Sequence, residues 1–357
     1  MSHDDSVLLH TEGRVRHLTL NRPRALNALN HAMVRQMAEA LDAAEQDPSV
    51  VAVLLTGAGE RGLCAGGDIR SIHDDALAGG RASLDFWRDE YRLNARIARF
   101  PKPYVAVMDG IVMGGGVGVS AHGSLRIVTE RSRIAMPETG IGFVPDVGGT
   151  RLLGAAPGEL GMHLALTGDA VGAADALLCG LADHFVPSTD LPALLAALDT
   201  CTTPEAVVAT AERYAGTAPA GELAGHRDWI DACYAADTVE EIVERLDRNG
   251  APAAKQAATT ILAKSPTALK VTLAALRRAR RLESLEAALD QEYRVSSAAF
   301  TRPDLVEGVR AQIIDKDRSP RWRPAELAEV TDEEVARHFA PLGDGELGLA
   351  AGTAGTA

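Results

Sequence analysis

Positive charge is the first thing this sequence has little of. Its 357 residues carry 36 Lys and Arg against 49 Asp and Glu, a formal net charge of -13. A surface that acidic repels phosphate backbones, which argues against nucleic acid as a partner, although a local basic patch can still hold one small polyanion. Cysteine is scarce too. Cys64, Cys179, Cys201 and Cys233 show no C-x-x-C spacing, and no His stands at a zinc-finger offset. They read as unpaired thiols in a reducing compartment. No run of ~20 apolar residues occurs, so no membrane span is expected. The opening MSHDDSVLLH lacks both the basic-then-apolar order of a signal peptide and the Arg/Ser richness of a transit peptide, and the expected location is the cytoplasm. G-x-S-x-G is absent, so no esterase-type nucleophile elbow is indicated. No H-x-x-x-H pair suggests a metal, and His122 reads as a packed or solvated side chain.

What is present is the balance of a globular protein, 46% hydrophobic and 24% charged, in a chain long enough for two units. Residues 6–10 and 14–20 are short apolar-rich runs that suit a hairpin. Residues 31–46 carry Met33, Met37, Ala40, Leu41 and Ala44 at helical spacing behind Asn30, a suitable N-cap. The runs at 50–56 and 104–108 read as strands buried on both faces, those at 125–129 and 133–135 as two further strands, and 84–99 as a helix. Strands alternating with helices point to an α/β layer architecture. Beyond Pro187 only helical periodicity remains. The expected division is a core over residues 1–190, a helical region over 191–342, and a disordered Gly, Ala and Thr-rich tail over 343–357.

Three segments follow apolar strands and can carry chemistry. Ala65–Asp68 (AGGD) and Gly114–Gly116 (GGG) are glycine-rich, and glycines there let a backbone approach a ligand with amides unpaired. Two N–H groups aimed at one point form an oxyanion hole. Met136–Thr150 (MPETGIGFVPDVGGT) holds two acids, Glu138 and Asp146, among apolar residues, Gly, Thr and Pro. Asp146 could cap a helix. Glu138, between Pro137 and an apolar run, is either solvent-facing or held in a dry pocket, where its proton affinity would rise as a general base or acid requires. Gly343–Gly348 fits G-x-G-x-x-G but follows no strand and is discarded as a nucleotide site.

Ala65–Ile69 (AGGDI), Met113–Gly118 (MGGGVG) and Met136–Gly142 (MPETGIG) resemble signature segments of the crotonase, or enoyl-CoA hydratase/isomerase, superfamily. Leu20–Leu29, Pro145–Gly149 (PDVGG) and Glu307–Pro324 are most similar to its 3-hydroxyisobutyryl-CoA hydrolase branch. The resemblance implies an α/β fold, a repeated ββα spiral core with an α-helical C-terminal region. It implies a CoA-thioester substrate, an oxyanion hole from the amides of Gly67 and Gly115, and Glu138 as nucleophile or general base with Asp146 as its partner. It also implies that Glu90 reaches the substrate, at its 3-hydroxyl. Hydratases of the superfamily carry a first catalytic glutamate on the helix after the Gly-Gly-Gly turn; that position here is Gly118. The expected reaction is therefore hydrolysis of the acyl–sulfur bond, with CoA as part of the substrate and no cofactor or metal. An enoyl-CoA hydratase or isomerase, and an acyl-CoA binder without turnover, stay as alternatives. The CoA phosphates need cations. Arg22, Arg24 and Arg70 lie near the expected loops, and Arg24 is the choice. Trimers and hexamers are common in the superfamily, so a homo-oligomer is an open expectation.

Overall fold

The computed structural model describes residues 6–353. They form two compact units interleaved in sequence. The first takes in the chain up to Gly67, Arg92–Ala135 and Val171–Gly221; the second takes in Asp68–Tyr91, Met136–Ala170 and the chain from Glu222 onward.

All strands among the described residues belong to the first unit. β1 (Val7–Glu12) and β2 (Val15–Leu20) pair antiparallel across a two-residue turn in which Gly13 takes φ 54°, as such turns require. α1 (His31–Gln46) starts where Asn30 Oδ1 accepts from the Met33 amide at 2.9 Å, and it buries the stripe read from the sequence. β3 (Ala52–Gly57) is buried along its apolar run. α2 (Ile69–Leu77) and α3 (Ala82–Ala98) follow; α2 has no counterpart in the sequence reading.

Next come β4 (Tyr104–Met108), β5 (Ile111–Met113), the short α4 (Gly115–Ser120), β6 (Leu125–Val128), β7 (Arg133–Ala135) and, later, β8 (His184–Phe185). The large sheet runs β1-β2-β3-β4-β6-β8, parallel from β2 on, and β5 pairs with β7 in a second, two-stranded sheet. Cys64 bridges Val112 of β5 in parallel. Each turn of the chain thus gives one strand to the large sheet and the next to the small one: β3 then Cys64, β4 then β5, β6 then β7. That is a ββα spiral. Its core gathers Ala52, Leu54, Val105 and Ile127 with Leu194, Leu198 and Val207. The helices Leu191–Asp199 and Pro204–Tyr214 therefore complete the sheet's core, although they lie beyond the point where strands stop in the sequence.

The second unit shows no strand among its described residues. α5 (Gly149–Gly154) belongs to it, with the helices Leu223–Tyr234, Val239–Arg248, Pro266–Ala279 and Leu285–Phe300. Thr238, Ser265 and Ser284 cap the starts of the last three by accepting from the third amide of each helix. The expected disordered tail needs correction over 343–353. Glu346 accepts from Arg294 Nε at 2.9 Å, Leu347 is buried, and Asp290 takes the amides of Leu349 and Ala350 at the start of the helix Leu349–Thr353. Polar anchors offset the low hydrophobicity that made this stretch look unstructured. The last residues of that expected tail, 354–357, lie outside the described residues. No helix among the described residues is long and apolar enough to cross a membrane.

Candidate active site

In the first unit, Cys64, Val112 and Ile134 stand in register on the small sheet. Gly66-Gly67 and Gly114-Gly115 follow the first two at the same offset. Gly66 (φ 107°) and Gly114 (φ 49°) adopt backbone conformations that L side chains rarely take. The loops touch backbone to backbone: a Cβ on Gly66 would lie 3.2 Å from Met113 O and 3.7 Å from Gly115 N. Leu29 bridges this loop by donating to Gly66 O at 2.8 Å, which leaves the next amide, that of Gly67, unused. Gly115 opens α4, so its amide has no acceptor within the helix. Among the described residues neither the Gly67 nor the Gly115 amide donates a backbone hydrogen bond outside the regular elements. Two adjacent free donors are what an oxyanion requires.

The second unit carries the acids. Glu138 opens a 3-10 turn, Glu138–Ile141, closed by Gly142 in the left-handed region. It is buried, and its Oε2 has no hydrogen-bond partner. Of the two options open in the sequence, solvent-facing or dry, the second holds. Burial pushes its carboxyl well above the usual range, and the Asp146 charge pushes further. Glu90 is buried as well, its Oε1 is unpartnered, and desolvation and then Asp146 raise it in the same way. Burial lifts Asp146 to about 7, against the Tyr91 hydroxyl, whose hydrogen bond lowers it. That hydroxyl donates to Asp146 Oδ2 at 2.7 Å and lies 2.7 Å from Ser296 Oγ. Asp146 does not cap a helix. It opens a tight turn in which the Gly149 amide donates to Asp146 O at 2.6 Å. Both central residues are left-handed, Val147 at φ 53° and Gly148 at φ 81°. A β-branched residue there is strained by roughly 1–3 kcal/mol and persists only where its surroundings hold it.

Sequence reasoning missed Tyr91, Ser296 and Glu292. Glu292 is 1% exposed and accepts from the amides of Gly148 at 2.6 Å and Thr150 at 2.9 Å and from the Thr150 hydroxyl. The signal was present. In the helix Leu285–Phe300 the buried stripe Ala288, Leu289, Glu292, Val295, Ser296, Ala299 includes two polar residues, and a polar residue on a buried stripe needs a partner.

The remaining sequence candidates are placed as follows. Gly118 is buried in α4. The Arg22 guanidinium donates to Ala28 O at 2.5 Å and serves its own loop. Arg70 reaches Ile313 O at 3.4 Å. Arg24 is exposed and lines a cleft of about 320 Å³ with Asn27, Gly59 and Arg61. His122 is half-buried. The sequence reading also passed over Asn94, fully buried with both amide atoms unpartnered.

The first unit is an α/β spiral with two adjacent backbone donors, and the second holds a buried acid cluster. The chain belongs to the enoyl-CoA hydratase/isomerase family, whose model matches residues 15–339. Similar curated proteins include mitochondrial 3-hydroxyisobutyryl-CoA hydrolases from Gallus gallus, 43% identical over 97% of this chain and 92% of the relative, and from Rattus norvegicus, 44% identical over 96% and 90%. Two crystal structures share the fold closely. A carnitinyl-CoA dehydratase from Mycobacterium thermoresistibile gives a TM-score of 0.92 at 55% identity, covering 96% of this chain and 98% of that one. An enoyl-CoA hydratase from Rhodobacter sphaeroides gives 0.90 at 46%, covering 96% and 99%. The fold class is the crotonase α/β spiral with a helical C-terminal region.

Proposed function

We propose that this chain hydrolyses 3-hydroxyisobutyryl-CoA to 3-hydroxyisobutyrate and free CoA, a step of valine breakdown. The observation that carries the reading is Glu138, a buried carboxyl with an unpartnered oxygen and its proton affinity raised by burial and then by Asp146, in a chain with no acid at Gly118. A hydratase of this superfamily uses two glutamates to add water; a single carboxylate with a partner suits acyl–sulfur cleavage. The names of the curated relatives support the same reaction.

In this reading the thioester carbonyl oxygen takes the amides of Gly67 and Gly115 as it becomes negative. Glu138 attacks the carbonyl carbon, the C–S bond breaks, CoA leaves as a thiolate that takes up a proton, and water then hydrolyses the mixed anhydride. By the second route Glu138 deprotonates a water that attacks directly. Single-turnover hydrolysis in ¹⁸O-water separates the routes, since label enters Glu138 only through the anhydride. Asp146 orients Glu138 or the water, and Glu90 takes the 3-hydroxyl of the acyl group. Arg24, exposed on its cleft, is the proposed partner of a CoA phosphate. No cofactor enters beyond the CoA of the substrate. Assembly as a trimer or hexamer, and a cytoplasmic location, belong to this proposal; buried cysteines that form no disulfide among the described residues support a reducing compartment.

The test is a thiol-release screen over short hydroxyacyl-CoAs alongside crotonyl-CoA. Thiol release from 3-hydroxyisobutyryl-CoA supports the hydrolase. Loss of crotonyl-CoA absorbance without thiol release would instead indicate the hydratase, and tight binding with neither would indicate a carrier. The 3-hydroxypropionyl thioester should also react, because one methyl group is worth only ~1–3 kcal/mol of discrimination.

A further inference from the structure

We propose that Glu292 is a positioning residue, whose carboxylate grips the Val147–Gly148 turn from a distant helix and so holds Asp146 against Tyr91. The inference rests on Asp146 being the partner of Glu138, as proposed above. It goes further in assigning the part of the chain that fixes Asp146 in place.

The local sequence explains why a distant residue is needed. α5 begins without a side-chain cap, because its N-cap position is Gly148. Gly148 sits at φ 81°, where Ser, Asp or Thr would be strained, so the turn geometry excludes the usual capping residues. The amides of Gly148 and Thr150 therefore need an acceptor from elsewhere, and Glu292, 142 residues from Thr150 in sequence, supplies both of its oxygens. The buried carboxyl is satisfied there by three donors, the amides of Gly148 and Thr150 and the Thr150 hydroxyl. The same clamp holds Val147 left-handed.

One helical turn beyond Glu292, Ser296 meets the Tyr91 hydroxyl that binds Asp146 Oδ2. One face of the helix Leu285–Phe300 thus fixes Asp146 twice, through its backbone turn and through its side-chain partner. The ionisable groups that face Glu292 are Asp146 by charge on Glu292, and Tyr91 and Glu138 by the charge of Glu292 on them.

Glu292→Gln keeps the shape but removes the charge and replaces one acceptor by a donor. On a parent enzyme shown to release thiol, the variant should lose about tenfold or more in kcat with KM within about threefold, the pattern of a misplaced reacting group. The acid limb of its kcat/KM profile should move to lower pH, because one negative charge near Glu138 is gone. Equal kcat, or a loss matched by the unfolded fraction with the acid limb unmoved, overturns the proposal. Should Glu292→Gln not fold, Thr150→Val decides: it removes only the hydroxyl bond and should lower kcat about two- to fivefold with KM held; parental kcat overturns the proposal. A parent without thiol release refutes the hydrolase reading instead, which keeps the two failures distinct.

Discussion

Asp146 and Glu138 are two carboxyls buried in the same unit; burial, and then the Asp146 charge, make Glu138 harder to ionise. Removing the Asp146 charge with Asp146→Asn should lower the proton affinity of Glu138, since that charge raises it. The acid limb of the pH–rate profile should then shift to lower pH, while kcat falls about a hundredfold through lost orientation. A pH series of initial thiol-release rates checks both. The same acids bear on stability. Asp146 rises from 3.8 to about 7 and Glu292 from 4.5 to about 8 on folding. The folded state therefore holds protons that the unfolded state has lost. Stability is full below about pH 4 for these groups and falls as pH rises through 7 to 8. Thermal melts should show Tm declining from pH 5 to 8, with a shallower decline in Glu292→Gln. At this scale Glu138 and Asp146 were legible as candidates because two acids in an apolar, Gly- and Pro-rich stretch stand out, and the family resemblance gave them their expected roles. Tyr91 and Glu292 were not, because their partners lie far away in sequence, and Glu90 was singled out only through the family resemblance.

At the scale of elements, regular local signals were read well. Asn30 announced the start of α1, and β4 and β7 stand where their apolar runs placed them. β5 was missed because its three residues run straight into the Gly114–Gly116 loop, and α2 because its start is hidden behind the first glycine loop. Yet β5 matters most for the amides: it sets Gly114 and Gly115 in register with the loop after Cys64. Gly66→Ala tests that arrangement. At φ 107° an L residue is strained by roughly 1–3 kcal/mol, and its Cβ presses toward Met113 O at 3.2 Å. The variant should melt lower and lose about a hundredfold in kcat as the Gly67 amide shifts, read by thermal denaturation and thiol release. Retained kcat would show that this amide does no catalytic work.

For the whole molecule, composition divides the chain in a line, strands before helices, whereas packing interleaves it. Leu194, Leu198, Val207 and Ala211 are buried in the core of the large sheet. A fragment of residues 1–190 would expose that apolar face. It should show strand signal by circular dichroism but bind a hydrophobic dye and melt without cooperativity. The whole protein should melt in a cooperative transition. The spiral sets its loops at equivalent positions: successive turns leave the small sheet first with Gly66-Gly67, then with Gly114-Gly115, and the chain then runs on from β7 into Glu138. The most direct measurement is steady-state thiol release from 3-hydroxyisobutyryl-CoA by the parent and by Glu138→Gln. The parent should release one thiol per hydroxy acid formed, and the variant should be slower by about a thousandfold or more with its fold intact. Thiol release that survives Glu138→Gln unchanged would contradict the assignment.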